Sequence, residues 1–470
     1  MTHWRHLSLS KIGTYVAIIG SGPSGFYAAE YLLKQENLHI EVDMFDRLPT
    51  PYGLVRAGVA PDHQQIKSVS RIFEKLAQNP GFRFWGNVEL GKDIQKSEFL
   101  KYFDAIIYAV GAQSDRNMNI KGEELRGSYS ATEFVGWYNG HPDYRNLEFD
   151  FSGKNAAIFG IGNVALDIAR ILAKSIDELS KTDIAQHALD NLAESKINNI
   201  YVITRRGPLQ SAFTPAGTKE LLVMEEAVAY VKPEELKIEE ETKNIISETG
   251  DKRLIQNLQF LEKISKHDPK QYNKVVQILF RRSPLELYGH NNNVGGIKII
   301  KNELFQDEFG NLKAKATDVS EDIKASLVFR SIGYKVQPLQ DVPFDNKKGI
   351  IANKDGRVYN LEETNLVENE YVTGWAKRGP SGVIGTNKPD SVETVNLLLD
   401  DFKNKTDGKF SDSQQGRIHS WLKSKNLSFV PFNQWKILDD HETDIGKIKD
   451  KPREKVTSIE EMLKIIEKKI

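Results

Sequence analysis

Short apolar runs recur along this chain, and the most informative of them end in glycine. Tyr15 to Ile19 is such a run, followed by Gly20-Ser-Gly22-Pro-Ser24-Gly25 and then a helical pattern from Phe26 to Leu33. The pattern predicts a buried parallel strand, a tight turn and a helix. A second run, Ile40 to Phe45, ends in Asp46. Phe82 to Leu90 alternates like a strand, and Ala105 to Val110 is another buried one, closing at Gly111. Between them, Ile66, Val69, Ile72, Phe73 and Leu76 are spaced for one buried face of a helix over Gln64 to Ala77, capped by Asp62.

The same grammar returns further along. Ala156 to Phe159 is followed by Gly160-Ile161-Gly162-Asn163-Val164-Ala165 and a helix through Leu172. The segment from Ala173 to Asn199 is long enough for an inserted helix pair, and Ile200 to Thr204 is the next strand. Val275 to Phe280 and Gly296 to Ile300 read as hairpin strands about the turn-rich Gly289 to Asn293, and Leu327 to Ile332 as a further strand. Lys232 to Asn273 reads as a solvated, charged connection with one helix at Lys252 to Lys263. The tail from Lys447 to Ile470 ends in an amphipathic helix with a Ser458–Glu461 capping box.

Both glycine turns have the dinucleotide spacing, and each glycine in it has a physical job. The first allows the tight turn, the second lets a pyrophosphate approach the backbone, and the third lets helix and strand pack closely. The strand ends beyond the two turns carry opposite charges. Asp46 stands 21 residues beyond Gly25, where a carboxylate accepts hydrogen bonds from a ribose diol and repels a 2′-phosphate. The strand after the second turn ends in Arg205 and Arg206, two guanidiniums suited to clamping that phosphate. The combination implies FAD in the first cradle and NADPH in the second. A third block, Gly374 to Asn387, holds four glycines, a proline and Trp375 in 14 residues, a backbone made to approach something flat and large.

Composition narrows the chemistry. A chain of 470 residues is comfortable for two or three domains. Its 64 basic and 65 acidic side chains leave a net charge of −1, so no global field steers it to nucleic acid or anionic lipid. No apolar run approaches the roughly 18 residues of a membrane span. With no cysteine, the chain can carry neither a redox dithiol nor a thiolate-bound cluster, which excludes disulfide reductases despite their similar plan. A flavin monooxygenase and a flavin-binding protein without turnover remain as alternatives. The arm from Met1 to Thr14 has no apolar core of a secretory signal, so the expected compartment is the cytoplasm.

These blocks, with Pro51-Tyr-Gly-Leu-Val-Arg56, Gly58-Val-Ala-Pro-Asp-His63 and Arg205-Arg-Gly-Pro-Leu-Gln210, resemble the adrenodoxin-reductase-like NADPH–ferredoxin reductases, including the bacterial FprA-type enzymes, over nearly the whole length. The resemblance implies an α/β fold of two Rossmann-like domains, the second inserted in the first. Residues 1–112 and 332–470 would bind FAD and residues 113–331 NADPH, with domain rotation about Gly111 and Gly333. It implies that Ser24, Asp46, Leu54 and Val88 hold FAD, that Trp375 lies against the flavin, and that Gly382, Val383 and Ile384 contact FAD. Ile161 to Val164 would cradle the NADPH pyrophosphate, and His63 and Glu220 would flank the reacting rings. The implied acceptor is a ferredoxin, and no metal site is implied. One departure stands out: the acidic residue usual four positions after the Phe of the Gln210-Ser-Ala-Phe213 segment is Gly217 here, with a helix-breaking Pro215 nearby. That leaves Glu220 as the carboxylate of this segment.

Overall fold

The computed structural model describes residues 13–36, 38–236, 250–308, 312–403 and 415–469. Two parallel sheets organise it. In the first, the strand Gly13–Ile19 lies between His39–Phe45 and Ala105–Tyr108, with Phe82–Gly86 and Asn365–Val372 outside them, all parallel. Short antiparallel strands finish both edges: Arg357–Asn360 and Asn353–Lys354 on one side, Val430–Pro431 on the other. Alternation explains the unbroken apolar run. Val16 and Ile18 enter the core on one face of the sheet, while Tyr15, Ala17 and Ile19 enter the core on the other. A strand buried on both faces has no polar side to show.

The second sheet has six strands, in the order Ser128–Ser130, Leu327–Arg330, Asn155–Phe159, Asn199–Ile203, Lys274–Leu279, Ala227–Val231, and every pairing is parallel. The chain therefore leaves the first sheet after Tyr108, builds the second, and returns to the first from Asn353. Where it crosses, Ser114–Asp115 pairs antiparallel with Tyr334–Lys335. Gly111 and Gly333, beside this ribbon, have φ of +69° and +110°.

Several elements differ from their sequence expectation. The helix expected over Gln64 to Ala77 is two short ones, Gln64–Lys67 and Ser70–Leu76, and Ile66 and Ile72 are exposed. Lys67 turns inward instead, its ammonium 2.6 and 2.8 Å from the two Asp183 oxygens, and the Ser68 hydroxyl ties off the turn by donating to the Gln65 carbonyl. A buried ion pair has overruled the apolar spacing. The strand from Phe82 stops at Gly86. Lys274–Leu279 is a parallel member of the second sheet and not one arm of a hairpin. The hairpin is Arg282–His290 with Asn293–Gln306, turning on Asn291 and Asn292 (both at positive φ), and Leu312–Lys324 adds a third antiparallel strand. Pro215 opens a short helix, Pro215–Lys219, at the position where its missing N–H costs nothing.

Other expectations match. The inserted pair is Ile176–Ser180 and Gln186–Ala193. Lys252–Ile264 is a helix, capped by Asp251; residues 237–249 of that charged stretch, and the N-terminal arm before Gly13, lie outside the described residues. In the tail, the Ser458 hydroxyl accepts from the Glu461 amide at 3.5 Å, one half of the capping box. No helix among the described residues is long and apolar enough to cross a membrane.

Candidate functional site: two nucleotide cradles and a charged cluster between them

The two glycine turns have the same internal logic. At Gly20 φ is +105°, and a Cβ would stand 2.5 Å from the Ala109 carbonyl oxygen; at Gly160 φ is +128°, and a Cβ would stand 2.1 Å from that of Ser331. Only glycine fits either place. A Cβ on Gly25 would meet the Gly20 carbonyl oxygen at 2.4 Å, so this glycine sets the approach of helix Pro23–Leu33 to its strand. The middle glycines are different. A Cβ on Gly22 or Gly162 would meet no protein atom within 4 Å, and both cap their helices in ordinary extended backbone. Their bareness serves no contact within the protein. It leaves room for a group against the first free N–H groups of each helix, which is where a pyrophosphate binds.

Around the first cradle, Asp46 is held rather than free-swinging. Its Oδ2 accepts from the Ser21 amide at 2.9 Å and the Ser21 hydroxyl at 2.5 Å, and its Oδ1 from the Leu48 amide at 2.9 Å. Val88 is buried, and its amide donates to the Asp46 carbonyl. The loop from Leu48 folds over the cradle, Tyr52 N donating to Ser21 O at 3.0 Å, and leaves Leu54 exposed. Ser24 is buried; a Cβ on Gly374 would lie 2.6 Å from its Cβ, so the third glycine block is packed onto the first. In that block Trp375 donates its indole N–H to Ser381 O at 3.2 Å and leans on Tyr334 with ring centroids 5.8 Å apart. Gly382 is at φ +81°, Val383 is exposed, and Ile384 packs partly into the core. The helix that follows this block begins at Asn387, after one 3-10 turn.

Around the second cradle, Ile161 is buried and Val164 packs on the core, so both offer the cradle backbone and not side chain. Asn163 accepts from the Thr214 amide at 2.8 Å and closes the Gln210–Glu220 segment against the cradle. Arg205 and Arg206 are exposed just past strand Asn199–Ile203, where a charged head can meet a ligand without first breaking a buried pair.

Between the cradles lies a charged cluster that joins the two sheets' elements. His63 and Glu220, far apart in sequence, meet with Nε2 and Oε2 2.7 Å apart. His63 comes from the loop after the first cradle and is buried; Glu220 follows the short Pro215 helix and is one-third exposed. Three charged residues not singled out from sequence for a role, Arg170, Asp167 and Lys174, complete the group. Arg170 donates to both Asp62 oxygens at 2.6 and 2.8 Å, lies 2.9 Å from His63 Nε2 and from Asp167 Oδ1, and 3.1 Å from Glu220 Oε2. Lys174 adds a second cation 3.0 Å from Asp62. The signal was present: Asp167 and Arg170, three apart, are charges inside an otherwise apolar helix, Asn163–Ala173.

The protonation states reflect the company each group keeps. Burial alone would raise Asp62, but the Arg170 and Lys174 cations beside it hold it far below the usual carboxylate range. Burial raises Asp167, against the pull of Arg170 and His63. Burial works against the Arg170 charge as well, yet Asp167, Asp62 and Glu220 together keep it firmly protonated. Asp62, His63 and Glu220 bring three ligand-type atoms within 4.8 Å of one another, as a metal site would. Here the Arg170 and Lys174 side chains already supply the cationic charge.

Comparison with known proteins agrees with this geometry. A family model described as pyridine nucleotide-disulphide oxidoreductase matches residues 14–224. With no cysteine in the chain, the disulphide part of that description has no counterpart here. NADPH-ferredoxin reductase FprA of Mycobacterium tuberculosis is 43% identical over 460 residues, covering 96% of this chain and 98% of the relative. The mitochondrial NADPH:adrenodoxin oxidoreductase of Arabidopsis thaliana is 40% identical, covering 97% and 96%. A solved structure of Mycobacterium tuberculosis FprA in complex with NADPH superposes with a TM-score of 0.91 at 42% identity, over 97% of this chain and 99% of that one. The fold and paired cradles define a two-nucleotide flavoprotein oxidoreductase. Within that class, the chain belongs to the family of NADPH–ferredoxin and NADPH:adrenodoxin reductases.

Proposed function

We infer that this chain is an FAD-dependent NADPH–ferredoxin oxidoreductase, taking hydride from NADPH onto FAD and passing electrons singly to a ferredoxin-type iron–sulfur protein. One observation carries the reading: a single chain holds two open glycine cradles, one ending in Asp46 and the other in Arg205 and Arg206. Opposite charges at the two strand ends select opposite ribose chemistry. The flavin supplies the conversion of a two-electron donor into one-electron steps; the protein supplies binding, alignment and shielding from water.

In this reading residues 1–112 and 332–470 form the FAD-binding part and residues 113–331 the NADPH-binding part. Gly20, Gly22, Ser24, Gly25, Asp46, Leu54 and Val88 hold FAD, with Trp375, Gly382, Val383 and Ile384 placed against the flavin. Gly160, Ile161, Gly162, Asn163 and Val164 present backbone N–H groups to the NADPH pyrophosphate, and Arg205 and Arg206 take its 2′-phosphate. His63 and Glu220 pair beside the reacting rings and orient the nicotinamide carboxamide. The same reading puts the protein in the cytoplasm, where its proposed donor is kept reduced.

The test is ferredoxin-dependent turnover of the purified holoprotein with each nicotinamide donor. NADPH-driven ferredoxin reduction that far exceeds the NADH-driven rate supports the assignment. Oxygen consumption coupled to substrate hydroxylation, with no ferredoxin reduction, would move the chain to the monooxygenases.

A further inference from the structure

One fully buried guanidinium, that of Arg170, hydrogen-bonds both Asp62 and His63. Arg170 Nη2 carries two hydrogens and lies within 2.9 Å of three acceptors: Asp62 Oδ1 at 2.8 Å, His63 Nε2 at 2.9 Å and Asp167 Oδ1 at 2.9 Å. Asp62 takes one hydrogen as part of a two-point clamp with Nε. The other faces His63 Nε2; Asp167 Oδ1 is close but receives no hydrogen bond from it. A guanidinium only donates, so it can bond His63 only when Nε2 has no proton. One nitrogen of Arg170 thus fastens Asp62 and His63 together.

The placement of Arg170 gives this further weight. It sits on the helix Asn163–Ala173, whose first residues line the second cradle, roughly 12 Å along the axis from Gly162. Its partners Asp62 and His63 belong to the loop behind the first cradle. One rigid element thus touches the proposed pyrophosphate site at one end and the His63 loop further on.

We propose that Arg170 is a positioning residue for hydride transfer: it holds His63, through Asp62 and directly, in register with the helix that carries the NADPH pyrophosphate. The inference rests on the reading of His63 and Glu220 as the pair beside the reacting rings. Arg170 is fully buried and acts through His63.

A double-substitution cycle on the holoprotein separates this role from a merely structural one. Arg170→Lys, His63→Ala and the pair are compared for the rate constant of flavin reduction by NADPH, NADP+ affinity by calorimetry, and hydrogen–deuterium exchange over residues 58–67. Arg170→Lys is expected to slow reduction on the order of 10-fold to 10²-fold, as a misplaced reacting group does. NADP+ affinity should stay within about twofold, and exchange in the loop should rise. In the His63→Ala background the same change should cost less than about threefold, because the residue it acts through is gone. Full multiplicative slowing in the pair would overturn the proposal. So would unchanged reduction in Arg170→Lys alone. Unchanged reduction in both His63→Ala and Glu220→Ala would instead overturn the underlying reading of that pair. If Arg170→Lys does not fold, Asp62→Asn, which releases the clamp but keeps the guanidinium, is expected to give the same pattern, and a multiplicative result there has the same force against it.

Discussion

His63 Nε2 and Glu220 Oε2 lie 2.7 Å apart, although one residue comes from the loop behind the first glycine cradle and the other from the segment closing the second. The contact is made only when both units are folded and docked. That makes it a sensitive place to perturb function without destroying either cradle. His63→Ala and Glu220→Ala should each slow flavin reduction by NADPH about 10-fold to 10²-fold while leaving bound FAD in place. Stopped-flow absorbance measures the rate and the protein's visible spectrum the FAD content.

The two kinds of glycine in a cradle should fail differently. Gly22→Val adds a side chain where no protein atom lies within 4 Å of the Cβ and the backbone is unstrained, so the apoprotein should melt within about 3 °C of the parent yet lose FAD. Gly20→Ala puts its Cβ 2.5 Å from the Ala109 carbonyl oxygen at φ +105°, and should cost about 2 kcal/mol or more of stability whether or not FAD is present. Thermal melts of apo- and holoprotein distinguish the two.

Arg205 and Arg206 are exposed, so their removal should not disturb the fold. A double change to alanine should weaken NADPH binding on the order of 10²-fold, the value of one or two charge-assisted phosphate contacts, and leave NADH almost untouched. Titration with NADP+ and NAD+ reads the change in preference directly. Equal weakening of both would mean that the arginines do not meet the 2′-phosphate.

Burial lowers His141 from 6.5 to about 4, and its Nδ1 is already occupied in accepting from the Asp143 amide at 3.2 Å. An unfolded histidine takes up its proton near 6.5, so between that pH and about 4 the unfolded chain binds a proton that the folded chain does not. Stability should therefore fall as pH drops through this window, by about 1–2 kcal/mol between pH 7 and pH 5 from this group. In His141→Gln that part of the slope should vanish, which paired urea denaturations at the two pH values would show.

Both cradles and the charge that ends each were legible in the sequence because they depend on local rules. A glycine at positive φ, a helix start and a strand end lie within a few residues of one another. The strand Lys274–Leu279 was misassigned for a related reason: a short apolar run followed by asparagines and glycines looks like a hairpin arm, and only its long-range partners, Asn199–Ile203 and Ala227–Val231, show otherwise. The helix over Gln64 to Ala77 broke because Lys67 found Asp183, a contact across more than a hundred residues. Arg170 was missed although its position was odd. A charge in an apolar helix says that a partner exists, and the fold alone says which.

An anaerobic stopped-flow experiment in two mixes bears most directly on the proposed electron path. The yellow protein first meets NADPH or NADH, and the reduced product then meets an oxidised ferredoxin from the same organism. An NADPH–ferredoxin reductase with this pair of cradles should bleach rapidly with NADPH and much more slowly with NADH, and its yellow colour should recover as the ferredoxin is reduced. Equal bleaching by both donors, or colour that returns only when oxygen is admitted, would refute that path.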